Sequence, residues 1–343
     1  MSLSERVKGP YDFFKQREKE LQRDADNNGG RLERHNLWRL AYYKYPYLLL
    51  QSDDAILERF VDVFSNSIDI SEEGKIIPTP MIENDARFAR LFTELIEETN
   101  WRGILTKDST FNATEQIRSY FIDGIPLGAK MFRGKLEVKG QWLLKFSKRE
   151  FVADMFKYGR FLISPASYYA KGSHIRAVKD LETARDYKLK AISEVLEGKT
   201  EITVSGLRIP IIDGVVPLQF MVDDYYMFSS CKQISRRMPT DFEADAVLVI
   251  KDRSTFIHRL KNSLLQKFPE WEFVEGEVYY FDPYNDAPKD KNQEFRKHIA
   301  YAYQKEHRCV LRPRMRQSGY NALKPFFVEI GALDDISEMI IAP

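Results

Sequence analysis

Cysteine is scarce in this chain: Cys231 and Cys309 are the two present in 343 residues. A disulfide framework is thereby excluded, and a reducing compartment is the natural setting. Net charge is scarce as well. The 52 Lys and Arg nearly cancel the 51 Asp and Glu, leaving +1. No global field draws such a chain onto nucleic acid or an anionic membrane, so phosphate affinity must come from a local patch. Long apolar runs are missing. The densest near the front, residues 45–50, is far too short to span a bilayer. The opening Met1-Ser2-Leu3-Ser4-Glu5-Arg6 runs directly into charged residues, without the apolar stretch of a secretory leader. A cytoplasmic protein with no membrane partner is expected.

Familiar catalytic and metal signatures are missing too. His35, His174, His258, His298 and His307 are scattered, with no pair at a metal-ligand spacing. No Gly-x-Ser-x-Gly elbow marks a serine hydrolase. Gly198-Lys199-Thr200 looks like the tail of a phosphate loop, but Ser193 stands where that loop needs glycine, so a helix C-cap is expected. Asp282, Asp286 and Asp290, interleaved with Pro283 and Pro288, read as a solvated turn rather than a cation site. No metal is expected.

Aromatic residues, by contrast, are plentiful at 13%, and hydrophobic residues reach 43%. That argues against disorder, and the length allows two cores. Helical periodicity runs through residues 4–25, 32–66 and 83–98. Residues 1–135 therefore read as a mostly helical recognition or accessory domain. Its Tyr42-Tyr43-Lys44-Tyr45-Pro46-Tyr47 cluster suits either a stacking platform for bases or plain core packing, with packing favoured. After Gly134 the apolar runs become short. Strands are expected at 142–146, 160–164, 202–205, 207–212, 225–229, 246–250, 277–281, 307–311 and 326–330. Helices are expected at 175–196, 254–268, 291–303 and 334–341, with Ser254 capping the second. Strands with irregularly placed helices give an α+β class over 136–343, mixed and mainly antiparallel.

Several strand ends carry chemistry. Ser164-Pro165 closes one strand, with Ser167, Tyr168 and Tyr169 beyond it. Proline ends sheet pairing there, and either tyrosine could stack on a nicotinamide or a base, or fold onto the core. Phe228-Ser229 ends another strand. In Glu306-His307-Arg308, alternation puts Glu306 and Arg308 on one face. Arg308, Arg312, Arg314 and Arg316 then form a basic stripe. Glu306 could orient a ribose hydroxyl while an arginine holds a phosphate, or it could simply pair with Arg308. Glu137-Val138-Lys139 has the carboxylate-x-lysine pattern of metal-dependent nucleases.

In their order, Lys145-Phe146, Ser164-Pro165, Phe228-Ser229 and Glu306-His307-Arg308 resemble a widespread family of uncharacterised bacterial and phage-borne proteins, known mainly as a domain of unknown function. The resemblance covers about residues 140 to 335, and the family is distantly similar to ADP-ribosyltransferases. It implies a split-sheet fold and NAD as cofactor. Glu306 would be the catalytic carboxylate, stabilising positive charge on the ribose as the nicotinamide bond breaks. Lys145, Ser164, Tyr168, Tyr169, Ser229 and Arg308 would bind the cofactor. The target would be a protein or nucleic acid, and the role a toxin or phage-defence effector. Lys145 replaces the family's Arg or His, and Ala170-Lys171-Gly172 stands where an Asn-Asp-Pro is usual. Two other functions fit the residues: a nucleic-acid-binding protein or nuclease, and a non-catalytic binding protein on a decayed enzyme fold.

Overall fold

The computed structural model describes residues 3–79, 85–106, 117–134, 142–170, 182–204, 206–288, 291–314 and 323–343. Four helices open the chain: α1 (Leu3–Asn27), α2 (Arg34–Lys44), α3 (Asp53–Ser65) and α4 (Ala86–Arg102). A small hairpin, β1 (Ile68–Ile70) and β2 (Ile76–Pro78), lies between the last two. Ser52 caps α3 by accepting from the Ala55 amide, and Gly103 closes α4 at a φ of 65°. Tyr42, Tyr43 and Tyr47 are buried, each with its hydroxyl on a glutamate of α4: Glu98, Glu97 and Glu94 respectively. Core packing is thus what this cluster does, and of its tyrosines only Tyr45 is left outside.

The rest of the chain adds α5 (Leu127–Met131), β3 (Leu143–Ser147), α6 (Arg149–Tyr158), β4 (Arg160–Pro165), α7 (Ala166–Ala170), β5 (Ala184–Lys190), α8 (Ile192–Leu196), β6 (Glu201–Val204), β7 (Leu207–Pro210) and β8 (Val215–Met221). Then come β9 (Tyr226–Cys231), α9 (Met238–Asp241), β10 (Ala246–Ile250), α10 (Arg253–Lys267), β11 (Trp271–Glu277), β12 (Tyr279–Phe281), β13 (Arg296–His298), β14 (Glu306–Pro313), β15 (Phe326–Glu329) and β16 (Ser337–Ile341). The class is α+β. Every pairing in the main sheet is antiparallel, in the order β11-β14-β9-β3-β10-β16 with β4 and β15 attached through β9. The pair β12–β13 is parallel.

Both faces of the main sheet are covered at β10, so that strand is apolar throughout. Ala246, Leu248 and Ile250 of β10 pack with α6 and α10, while Val247 and Val249 pack with α5 and α9. A separate core joins the opening helices to later elements. Phe14, Tyr42, Ile56 and Leu91 pack there with Ile192, Val216, Tyr280 and Ile299. The expected boundary at 135/136 lies outside the described residues, and this core links the two sides of it.

Three expected helices take other forms. Within 175–196 the described chain holds β5 and the short α8; 291–303 holds β13 between two 3-10 segments, Gln293–Phe295 and Ile299–Gln304; 334–341 holds β16. The α10 helix is present, but Asp252 rather than Ser254 caps it, accepting from the Thr255 amide. Asp282 is fully buried against Arg59, with two hydrogen bonds of 2.8 Å, so the expected solvated turn is an ion pair instead.

Candidate functional site

The site begins with a fork in the main sheet. One edge of β9 is shared by two strands that diverge. β3 reaches it through Leu144 opposite Cys231, and β4 through Ser164 opposite Met227 and Pro165 opposite Tyr226. Between those contacts, residues 228–230 of β9 have no strand on that side. An unpaired carbonyl in such a gap needs another donor. The Lys145 ammonium supplies it, donating to the Ser229 carbonyl at 2.8 Å. Its Nζ also lies 4.9 Å from the centre of the Phe228 ring.

The other edge of β9 pairs with β14, setting Glu306 opposite Cys231 and Arg308 opposite Ser229. Side chains of directly paired residues share a face. Glu306, Arg308, Ser229 and Cys231 therefore meet on one side of the sheet. Above them is a cavity of about 280 Å³, lined by Lys145, Ser229, Tyr169, Glu306, Lys297 and Phe242, among others. Of the residues expected at the site, Lys145, Tyr169, Ser229 and Glu306 line this one cavity.

Three others lie elsewhere. Ser164 is buried and does not line the cavity, though it is hydrogen-bonded to Tyr169. Tyr168 is 39% exposed and meets Tyr169 edge-on at 5.8 Å, away from the lining. Arg308 is fully buried and cannot hold a diphosphate. Its two terminal nitrogens bond the Glu182 carboxylate at 2.8 and 2.6 Å, and its Nε bonds Glu306 at 2.9 Å.

Glu306 has a second cation. Lys297 Nζ donates to it at 2.6 Å and to Gln304 at 3.1 Å. Burial alone would raise the Glu306 carboxyl, but Lys297 and Arg308 outweigh it and hold the group well below the usual carboxylate range. The same balance keeps Glu182 ionised: burial opposes the charge, while Arg308, Lys297 and Arg185 favour it. Three cations thus surround two carboxylates. No local pattern marks Glu182 or Lys297 in the sequence, because one precedes β5 and the other sits on β13, both within expected helices.

Lys145 stands apart from that cluster. Burial pulls its ammonium down, and Cys231 and Glu306 pull it back up only in part. It makes no ion pair among the described residues, and two of its three donors are uncommitted. The buried Ser229 hydroxyl likewise has no partner among the described residues. Burial pushes the Cys231 thiol up to about 12, so it is no nucleophile at neutral pH.

The basic stripe is mostly consumed by structure. Arg308 is buried, and Arg312 pairs with Glu272 and Glu294. Arg314 is exposed, while Arg316 and the nuclease-like Glu137-Val138-Lys139 lie outside the described residues. Among the described residues no acidic or His/Cys group could hold a metal ion, and no helix is long and apolar enough to cross a membrane. Compared with family models, curated proteins and solved structures, the chain matches none.

Proposed function

We propose that this chain binds a small planar ligand bearing a carboxamide, carboxylate or similar oxygen group, and does not cleave it. The nicotinamide end of NAD has that chemistry. On this reading the protein is a non-catalytic binding protein on a split sheet like that of ADP-ribosyltransferases. The observation that carries it is the pair of polar groups with capacity to spare at the fork, the two uncommitted donors of the Lys145 ammonium and the Ser229 hydroxyl with no partner among the described residues, beside Phe146, Phe242, Tyr169 and Met227. A ring would pack on the apolar walls while its oxygen took donors from Lys145. The volume of about 280 Å³ suits one ring system, just below the usual range for ligand clefts.

Binding is favoured over catalysis because Glu306 is already neutralised. A carboxylate held by Lys297 and Arg308 has little charge left to stabilise a ribose cation. The second reading is the NAD-dependent ADP-ribosyltransferase itself. The shared cavity favours it, since Lys145, Tyr169, Ser229 and Glu306 come from four separate stretches of sequence.

Calorimetric titration with nicotinamide and NAD tests the binding reading. We expect Lys145→Met to weaken both by about tenfold or more, the loss of a hydrogen bond to a charged group. Equal affinity in the variant, or no binding to the wild type, would remove the fork cavity as the site.

A further inference from the structure

The fork cavity has a neglected carboxylate, Glu243. Glu182 and Glu306 are each held by two or more cations. Glu243 has no hydrogen-bond or ion-pair partner for its side chain among the described residues, and it is exposed. It lines two spaces at once: the fork cavity, and a neighbouring cleft of about 1120 Å³ between the opening helices and the sheets.

Its backbone is unusual for a glutamate. The short helix α9 ends in a paired-turn motif, with the Glu243 amide donating to Thr240 O at 3.1 Å and the Ala244 amide to Pro239 O at 2.7 Å. The residue in Glu243's position must be left-handed, and its φ is 48°. Glycine is the usual occupant there, because it adopts that conformation without a Cβ penalty. A carboxylate is also poorly placed beside the carbonyl end of a helix. The chain therefore keeps an acidic side chain where local structure favours none. Strain of this kind gathers where a side chain is needed for binding.

We propose that Glu243 is a ligand-binding residue that accepts hydrogen bonds from hydroxyls of a ligand extending from the fork cavity into the larger cleft. The chemistry is that of a dinucleotide: a ring at Lys145, a ribose at Glu243, and phosphates beyond. The inference rests on the nicotinamide reading above. The cleft offers suitable donors. Lys188 bonds a tyrosine hydroxyl, Tyr284, at 3.1 Å, and makes no ion pair among the described residues. Burial and Arg59 push the His298 imidazole down to about 4, so it is neutral at pH 7. Its Nδ1 accepts from the Ala300 amide, which leaves the proton on Nε2 as a donor.

The test compares Glu243→Gln and Glu243→Gly in the full chain. NAD and nicotinamide are titrated separately, and melting temperature is read in parallel. NAD should bind the wild type at least about tenfold more tightly than nicotinamide. Both variants should lose about tenfold in NAD affinity and keep nicotinamide affinity unchanged. Glu243→Gly alone should melt about 2 °C higher, because the backbone penalty is relieved. Unchanged NAD affinity in both variants, with NAD still bound, would overturn the role of Glu243 and leave the fork reading standing. No binding of either compound to the wild type would remove both. A Glu243→Gly variant that melts no higher would contradict the strain on which the choice of residue rests.

Discussion

Arg308→Ala is expected to destabilise the protein by about 3–5 kcal/mol. The guanidinium sits on β14 with no solvent exposure and binds two buried carboxylates, Glu182 through both oxygens and Glu306 through one. It also donates to the Glu294 carbonyl at 2.7 Å. Removing it leaves three carbonyl or carboxylate groups short of donors in a dry interior. Lys297 remains, but one ammonium cannot reach the oxygens that a fork of five N–H groups served. Arg308→Lys should therefore recover little of the loss. Urea denaturation of wild type, Arg308→Ala and Arg308→Lys measures it. A midpoint shared by all three would show that the cluster is not the internal prop of the site.

The second large effect is at the ion pair that fastens the opening helices to the later sheets. Arg59 of α3 and Asp282 are both buried, and the guanidinium lies over the Tyr284 ring at 4.6 Å. Burial alone would raise the Asp282 carboxyl. Arg59, with hydrogen bonds from Asn285 and the Tyr284 amide, reverses that and holds it at about 2, against an ordinary 3.8. A carboxylate depressed in the fold contributes stability above its unfolded value and loses it as pH falls through the folded one. The pair should therefore contribute roughly 2 kcal/mol at neutral pH, lost between about pH 4 and pH 2. Arg59→Met should cost about 3–5 kcal/mol at pH 7 by leaving Asp282 charged and unpaired. Its pH dependence should also reverse. With the counter-charge gone, burial raises the carboxyl, and the variant becomes less stable as pH rises past about 4. Denaturation midpoints of both proteins from pH 3 to 7 check this. Parallel curves would contradict it.

What the sequence reveals here is uneven, for physical reasons. Strand β10 is legible to the residue, because a strand covered on both faces is an unbroken apolar run, Ala246 to Ile250. Strand β5 is hidden because Arg185 puts a charge on the face that Tyr187 and Leu189 share, breaking an alternation that Asp186, Lys188 and Lys190 otherwise keep. Arg185 is buried nonetheless, since Glu182 compensates its charge, and no local window can anticipate that. Strand β16 lies within 334–341, a stretch that reads as helix from the sequence. Pairing with β10 overrides that preference. At the site, Lys145 and Glu306 are readable as charged residues on strands, and alternation correctly sets Glu306 and Arg308 on one face. Partnership is not readable. Whether Glu306 faces a ligand or a neutralising cation depends on Lys297, which a parallel pairing of β12 and β13 brings into place.

Incubation of the purified protein with NAD labelled in the nicotinamide ring, followed by separation of bound NAD, free NAD and free nicotinamide, tests the binding reading most directly. The label should be retained on the protein as intact NAD, and nicotinamide should appear no faster than in buffer, with wild type and Glu306→Gln alike. Nicotinamide release by wild type that Glu306→Gln abolishes would contradict the non-catalytic reading and restore Glu306 as the catalytic group.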